Sequence, residues 1–176
     1  MASLDPLERR APDYCGPLIG YRLWLHDYSG LLRSVYQPVH WTPHEVCHAE
    51  CDRAPRAPQP GCQCGIYAFR RALDLHKEIE RIDRQGTALH SVFAHLGEPI
   101  FGTVRLWGNV IEHEYGWRAE YAYPHTLSSR VLADHYGVAY QPWENRRPDP
   151  AWYAAWDDRL HVPDPLRRYT SWRLDP

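Results

Sequence analysis

Four cysteines share one proline-rich stretch, as Cys47-His-Ala-Glu-Cys51 and, after ten intervening residues, Cys62-Gln-Cys64-Gly65. Prolines at 38, 43, 55, 58 and 60 deny residues 37–64 a continuous helix or a central strand. A loop this long is unusual inside a compact domain unless function or a metal orders it. Ligation of a metal offsets the entropy of fixing such a loop. Zinc takes about four soft ligands in a tetrahedron, and thiolates serve it best. The expected metal ligands are therefore Cys47, Cys51, Cys62 and Cys64, with His44 and His48 as possible substitutes. An iron–sulfur cluster is the alternative cofactor, although the spacing fits neither ferredoxin pattern. Ordinary reduced thiols are the plain alternative. Four thiolates would close the site and make it structural, whereas a missing ligand would turn the reading toward catalysis.

The 176 residues suit one domain and a tail, enough to bury a core without disulfides. The net charge of −2 provides no overall basic field, which argues against non-specific nucleic-acid binding. It leaves room for a reader of one flipped or modified base. No apolar run approaches the ~18 residues of a membrane span, and Met1-Ala2-Ser3-Leu4-Asp5-Pro6 lacks the features of a signal peptide. A cytoplasmic location and no membrane partner are expected, and there cysteines stay as thiols or bind metals. The chain has 8 Trp and 12 Tyr against 3 Phe, and such rings with a polar edge suit pocket walls and interfaces.

Residues 1–17 read as a flexible arm, 18–141 as a single α+β domain, and 142–176 as a Pro-, Trp- and Arg-rich extension. Residues 18–26 alternate as a strand, with 31–36 as its hairpin partner. Gly65 is expected to open a helix through about residue 84, with Ile66, Phe69, Ala72, Leu73, His76, Ile79 and Ile82 as its apolar stripe. Phe101 to His113 and Trp117 to Tyr123 form the clearest strand pair, with Pro124 as its end. Gly108, in mid-strand, predicts a bulge or a close approach. A helix over 126–136, turned inward at Leu127, Val131, Leu132 and His135, and a short strand at 138–140 follow. A further helix is expected over 150–160. The expected fold is a mainly antiparallel sheet or small β-barrel with two or three helices and a metal-clipped loop.

The segments Cys62-Gln-Cys64-Gly65-Ile66-Tyr67-Ala68 and Gly102-Thr-Val-Arg-Leu-Trp107-Gly108-Asn-Val, followed by Gly116-Trp-Arg118-Ala-Glu120-Tyr-Ala-Tyr123-Pro124, resemble signatures of an uncharacterised bacterial protein family. The resemblance covers roughly residues 19–140 and implies no activity. The hairpin layout is also faintly similar to PUA-like barrels, whose members read modified bases or RNA.

Arg118 and Glu120 share a strand face, with Trp24, Trp107, Tyr121 and Tyr123 expected nearby. Trp24, Trp107, Arg118, Glu120 and Tyr123 are the candidate ligand-binding residues: aromatic walls with one ion pair for orientation. A cross-strand salt bridge over an aromatic core is the plain alternative. His113 between Glu112 and Glu114 lacks metal-site spacing. Ser128-Ser129 lack a nucleophile frame, and no phosphate loop is present. The leading expectation is a non-catalytic, zinc-stabilised binding module for a planar ligand such as a nucleobase, modified nucleobase or nucleotide. One alternative is a small hydrolase-like metal enzyme with His44, Glu45 or His48 as general base. Another is a structural subunit that presents Trp143, Trp152, Trp156 and Trp172 to a partner. The oligomeric state cannot be read from the sequence.

Overall fold

The computed structural model describes residues 9–10, 16–27, 29–84 and 97–143. The chain divides into two compact units, Met1–Trp143 and Glu144–Pro176. The second unit lies outside the described residues, and with it the helix expected over 150–160 and Trp152, Trp156 and Trp172. Cys15, His90 and His95 lie outside them too.

The strands are β1 (Arg9–Arg10), β2 (Leu18–His26), β3 (Leu32–Ser34), β4 (His40–Trp41), β5 (Cys47–His48), β6 (Ile66–Phe69), β7 (Glu98–His113), β8 (Gly116–Leu127) and β9 (Ala139–Tyr140). Among the described residues, the helices are α1 (Ala72–Arg84) and α2 (Arg130–Tyr136). The α+β expectation holds. One mixed sheet runs β1-β7-β8-β6-β2-β3-β4. β2 also pairs with β7, so β2, β7, β8 and β6 close a ring of hydrogen bonds. Every pairing is antiparallel except β8 with β9.

Ring closure follows from the size of the residues inside it. Trp24, Ile66, Ala68, Val104, Leu106, Trp117, Ala119 and Ala122 belong to one buried cluster. A Cβ at Gly20 would lie 2.6 Å from the Ala68 Cβ, so only glycine lets β2 approach β6 this closely. The Arg22 guanidinium donates to the Tyr67 carbonyl and, at 3.1 Å, to Ser34 Oγ. It also stands over the rings of Trp41 and Trp24, at 5.1 and 5.9 Å. Burial pulls its pKa down to about 10. Among the described residues, no helix is long and apolar enough to cross a membrane.

Several expectations need correction. Ile66–Phe69 is a strand, not the first turn of a helix, because its alternation puts Ile66 and Ala68 in the core while its backbone pairs with β8. The helix starts at Ala72, and its deepest residue is Leu75. Asp74 and Glu78, which lie off the apolar stripe, are nonetheless buried, in pairs with Arg71 and Arg81. Residues 37–64 contain two short strands, β4 and β5. Pro124 does not end β8. The strand continues to Leu127 across a register irregularity opposite Thr103 and Val104, where the ladder loses no needed donor. The second helix therefore begins at Arg130, capped by Ser129 Oγ and stopped at Gly137. It buries Leu132, Ala133 and Tyr136, whereas Val131 is 77% exposed. Trp143, one of the tryptophans expected to face a partner, stacks on Phe101 at 5.0 Å.

Candidate metal centre and the aromatic face beside it

The loop between β5 and β6 crosses the outer face of β8, and β8 and the neighbouring β7 hold it and β5 at four points. Cys47 and His48 pair with Ala122 and Tyr121. The Ala49 N–H donates to the Glu120 carbonyl at 2.8 Å. Asn109 Nδ2, on the neighbouring β7, donates to the Pro58 carbonyl at 2.8 Å. Arg118 donates to the carbonyls of Cys62 and Cys64, the latter at 2.9 Å. Arg118 alternates with the core residues Trp117 and Ala119 and so points outward, yet only 1% of it is exposed because the loop covers it.

This scaffold brings Cys51, Cys62 and Cys64 together, with their sulfur atoms all within 4.8 Å of one another. The Cys51 and Cys62 sulfurs are 3.8 Å apart. That is far beyond the ~2.05 Å of a disulfide. It matches the edge, about 3.8 Å, of a tetrahedron whose metal–sulfur bonds are ~2.3 Å. The Gln59 N–H donates to Cys64 Sγ at 3.3 Å, a bond that favours thiolate. Burial pushes the Cys64 thiol up, and hydrogen bonding with Cys51 and Cys62 adds to this. Burial acts upward on Cys62 as well, but hydrogen bonds with Cys64 and Cys51 and the charge of Arg53 leave it below its ordinary value. A cation among the three sulfurs would relieve this competition for protons. The three cysteines can hold a metal ion.

Cys47 is not in this trio. It sits half-buried against the core, where burial raises its thiol pKa and the Arg22 charge works in the opposite direction.

The expected ligand-binding residues separate into two places. Trp24 is fully buried inside the ring, edge-on to Trp41 at 5.5 Å, and no ligand face includes it. Alternation on β2 could not reveal this, because α1 and the ring interior bury both faces of that strand. Tyr123 accepts from the His44 N–H at 2.7 Å and donates to the Tyr136 carbonyl at 2.8 Å, tying the loop to α2. Arg118 serves the loop as described.

Trp107 is half-buried and Glu120 is 9% exposed, and neither belongs to the core cluster. Trp107 is stacked against Tyr121 at 6.1 Å, and Tyr121 against His48 at 5.0 Å with planes 16° apart. The three rings form a strip across β7, β8 and β5, with His48 exposed and the other two half-buried. The Glu120 carboxylate lies beside the strip, accepting from the Asn109 N–H at 3.1 Å. The expected irregularity at Gly108 is present as a register shift between Trp107 and Val110. The sequence points to His48 as a substitute ligand or a general base, and nothing local announces its place on Tyr121.

Comparison of the chain with family models, with curated proteins and with solved structures gives no match.

Proposed function

We propose that this chain is a non-catalytic binding module stabilised by zinc. Cys51, Cys62 and Cys64 supply three thiolates, and the strip of Trp107, Tyr121 and His48 receives a planar ligand. The carrying observation is that one loop does both jobs: it holds the cysteine trio and places His48 on Tyr121. Ordering the loop by metal therefore also completes the aromatic face. Soft donors at tetrahedral spacing favour zinc, and the same set accepts iron. Aromatic faces that stack on any flat ring make a nucleobase or nucleotide the natural class of ligand.

The test is quenching of tryptophan fluorescence by AMP, GMP and UMP, with the doubly substituted H48A/Y121L chain as control. Saturable quenching that the control loses supports the module. No quenching by any of the three would contradict it.

The trio favours a second reading. Three thiolates leave one tetrahedral position open, as in catalytic zinc sites. His48 Nε2, on β5, stands 3.9 Å from Glu120 Oε1, on β8, and the pair would have to close to hydrogen-bond distance before it could transfer a proton. X-ray absorption at the metal edge separates the readings. A water oxygen in the fourth position favours a hydrolase-like enzyme, and a fourth protein ligand favours the module.

A further inference from the structure

We infer that the ligand of the aromatic face is a guanine-type base: a flat ring whose edge carries a ring N–H beside an exocyclic amine. This rests on the reading of that face as a platform for planar ligands. Stacking on Trp107, Tyr121 and His48 is indifferent to base identity, because every base has a π-face. Discrimination has to come from a group at the edge of the stack, and Glu120 is that group.

Glu120 is only 9% exposed, yet its carboxylate is at the strip. One oxygen, Oε2, accepts the Asn109 N–H, and the Tyr121 side chain also hydrogen-bonds to the carboxylate. The other oxygen, Oε1, has His48 Nε2 at 3.9 Å, too far for a hydrogen bond. A carboxylate offers about four acceptor positions, so this one has capacity left for donors of a ligand. Two adjacent N–H donors fill it in the parallel manner carboxylates favour.

Gly108 keeps the approach open. A Cβ there would lie 2.5 Å from Tyr121 Cδ2 and 3.0 Å from Glu120 Oε2, so any side chain would stand where ring edge and carboxylate meet. An ionised carboxylate only accepts. It therefore selects against adenine and uracil, and against hypoxanthine, which lacks the exocyclic amine. Arg105, exposed and two residues before Trp107 on β7, and Arg56, whose charge reaches Tyr121, supply positive charge for a phosphate. The base arrives as a free nucleotide or within a single strand.

The experiment is calorimetric titration of the full metal-loaded chain with GMP, IMP and AMP, and with an oligouridylate containing one guanosine. GMP is expected to bind at least about tenfold more tightly than IMP or AMP, the worth of one hydrogen bond to a charged group. E120Q is expected to abolish that preference while quenching by stacking persists. The GMP–IMP comparison needs no variant, so misfolding of E120Q would leave the proposal open to refutation. Tighter binding of the oligonucleotide than of GMP would assign the base to a single strand; equal binding would assign it to a free nucleotide. Equal affinity for GMP, IMP and AMP would overturn the guanine assignment and leave the platform standing. No binding of any probe would overturn both.

Discussion

Arg118 illustrates how a site residue can be visible while its job is not. Its place in the Gly116–Pro124 motif marks it, but its partners lie more than fifty residues earlier in the chain. The expectation of an orienting ion pair with Glu120 came from their shared strand face. The structure shows the guanidinium holding two carbonyls between the cysteines instead. R118A is expected to destabilise the chain by about 1–3 kcal/mol, since it removes charge-assisted bonds to two part-buried carbonyls. Denaturant unfolding measures this. R118K should recover only part of the loss, because an ammonium lacks the planar fork that serves two acceptors. A midpoint unchanged in R118A would contradict the assigned role. Histidines give a second prediction at this scale. Burial lowers the pKa of His76, and burial together with the Arg105 charge lowers that of His125. The unfolded chain then binds more protons than the folded one. This stability is complete above about pH 6.5, the ordinary histidine value, and is lost as pH falls toward the folded pKa values. Melting temperature should therefore fall between pH 7.5 and 5.5, and H125Q should flatten that slope.

Elements were legible where local pattern and final environment agreed. β2 matches its expected bounds, and β7 and β8 differ from theirs only at the ends. The failures have one physical cause: a partner distant in sequence overrode the local signal. Ile66-Tyr-Ala-Phe69 continues smoothly into α1, so its apolar positions fit a helical stripe, but pairing with Gly116–Ala119 makes it a strand. Pro124 reads as a strand end, yet the irregularity in the β7 ladder tolerates it. Ser129, which lacks a nucleophile frame, caps α2 by accepting from the Leu132 N–H at 3.4 Å. S129A should cost about 1 kcal/mol, a typical loss for an N-cap, seen as a lower thermal midpoint with an unchanged fold. A loss above ~3 kcal/mol would mean that Ser129 does more than cap.

At the scale of the molecule, the domain is a closed ring of strands with a cysteine-bearing loop, able to hold a metal ion, strapped across β8. Ring closure depends on β2 meeting both β6 and β7, contacts no single segment announces. The metal loop was legible as a whole, because proline-rich sequence with clustered thiols has few other ways to order. Its membership was not: Cys47, three residues from His44 and four from Cys51, is paired into the sheet by β5. Chelation should therefore loosen the loop while the ring persists. Stripped protein is expected to become sensitive to proteolysis between residues 50 and 64 and to keep its strand circular dichroism. The most direct measurement of the central claim is metal content of the purified chain and of its four single Cys→Ser variants at positions 47, 51, 62 and 64. One zinc per chain is expected, lost in C51S, C62S and C64S and retained in C47S. Absence of stoichiometric metal, or loss in C47S as complete as in the others, would contradict the three-thiolate centre.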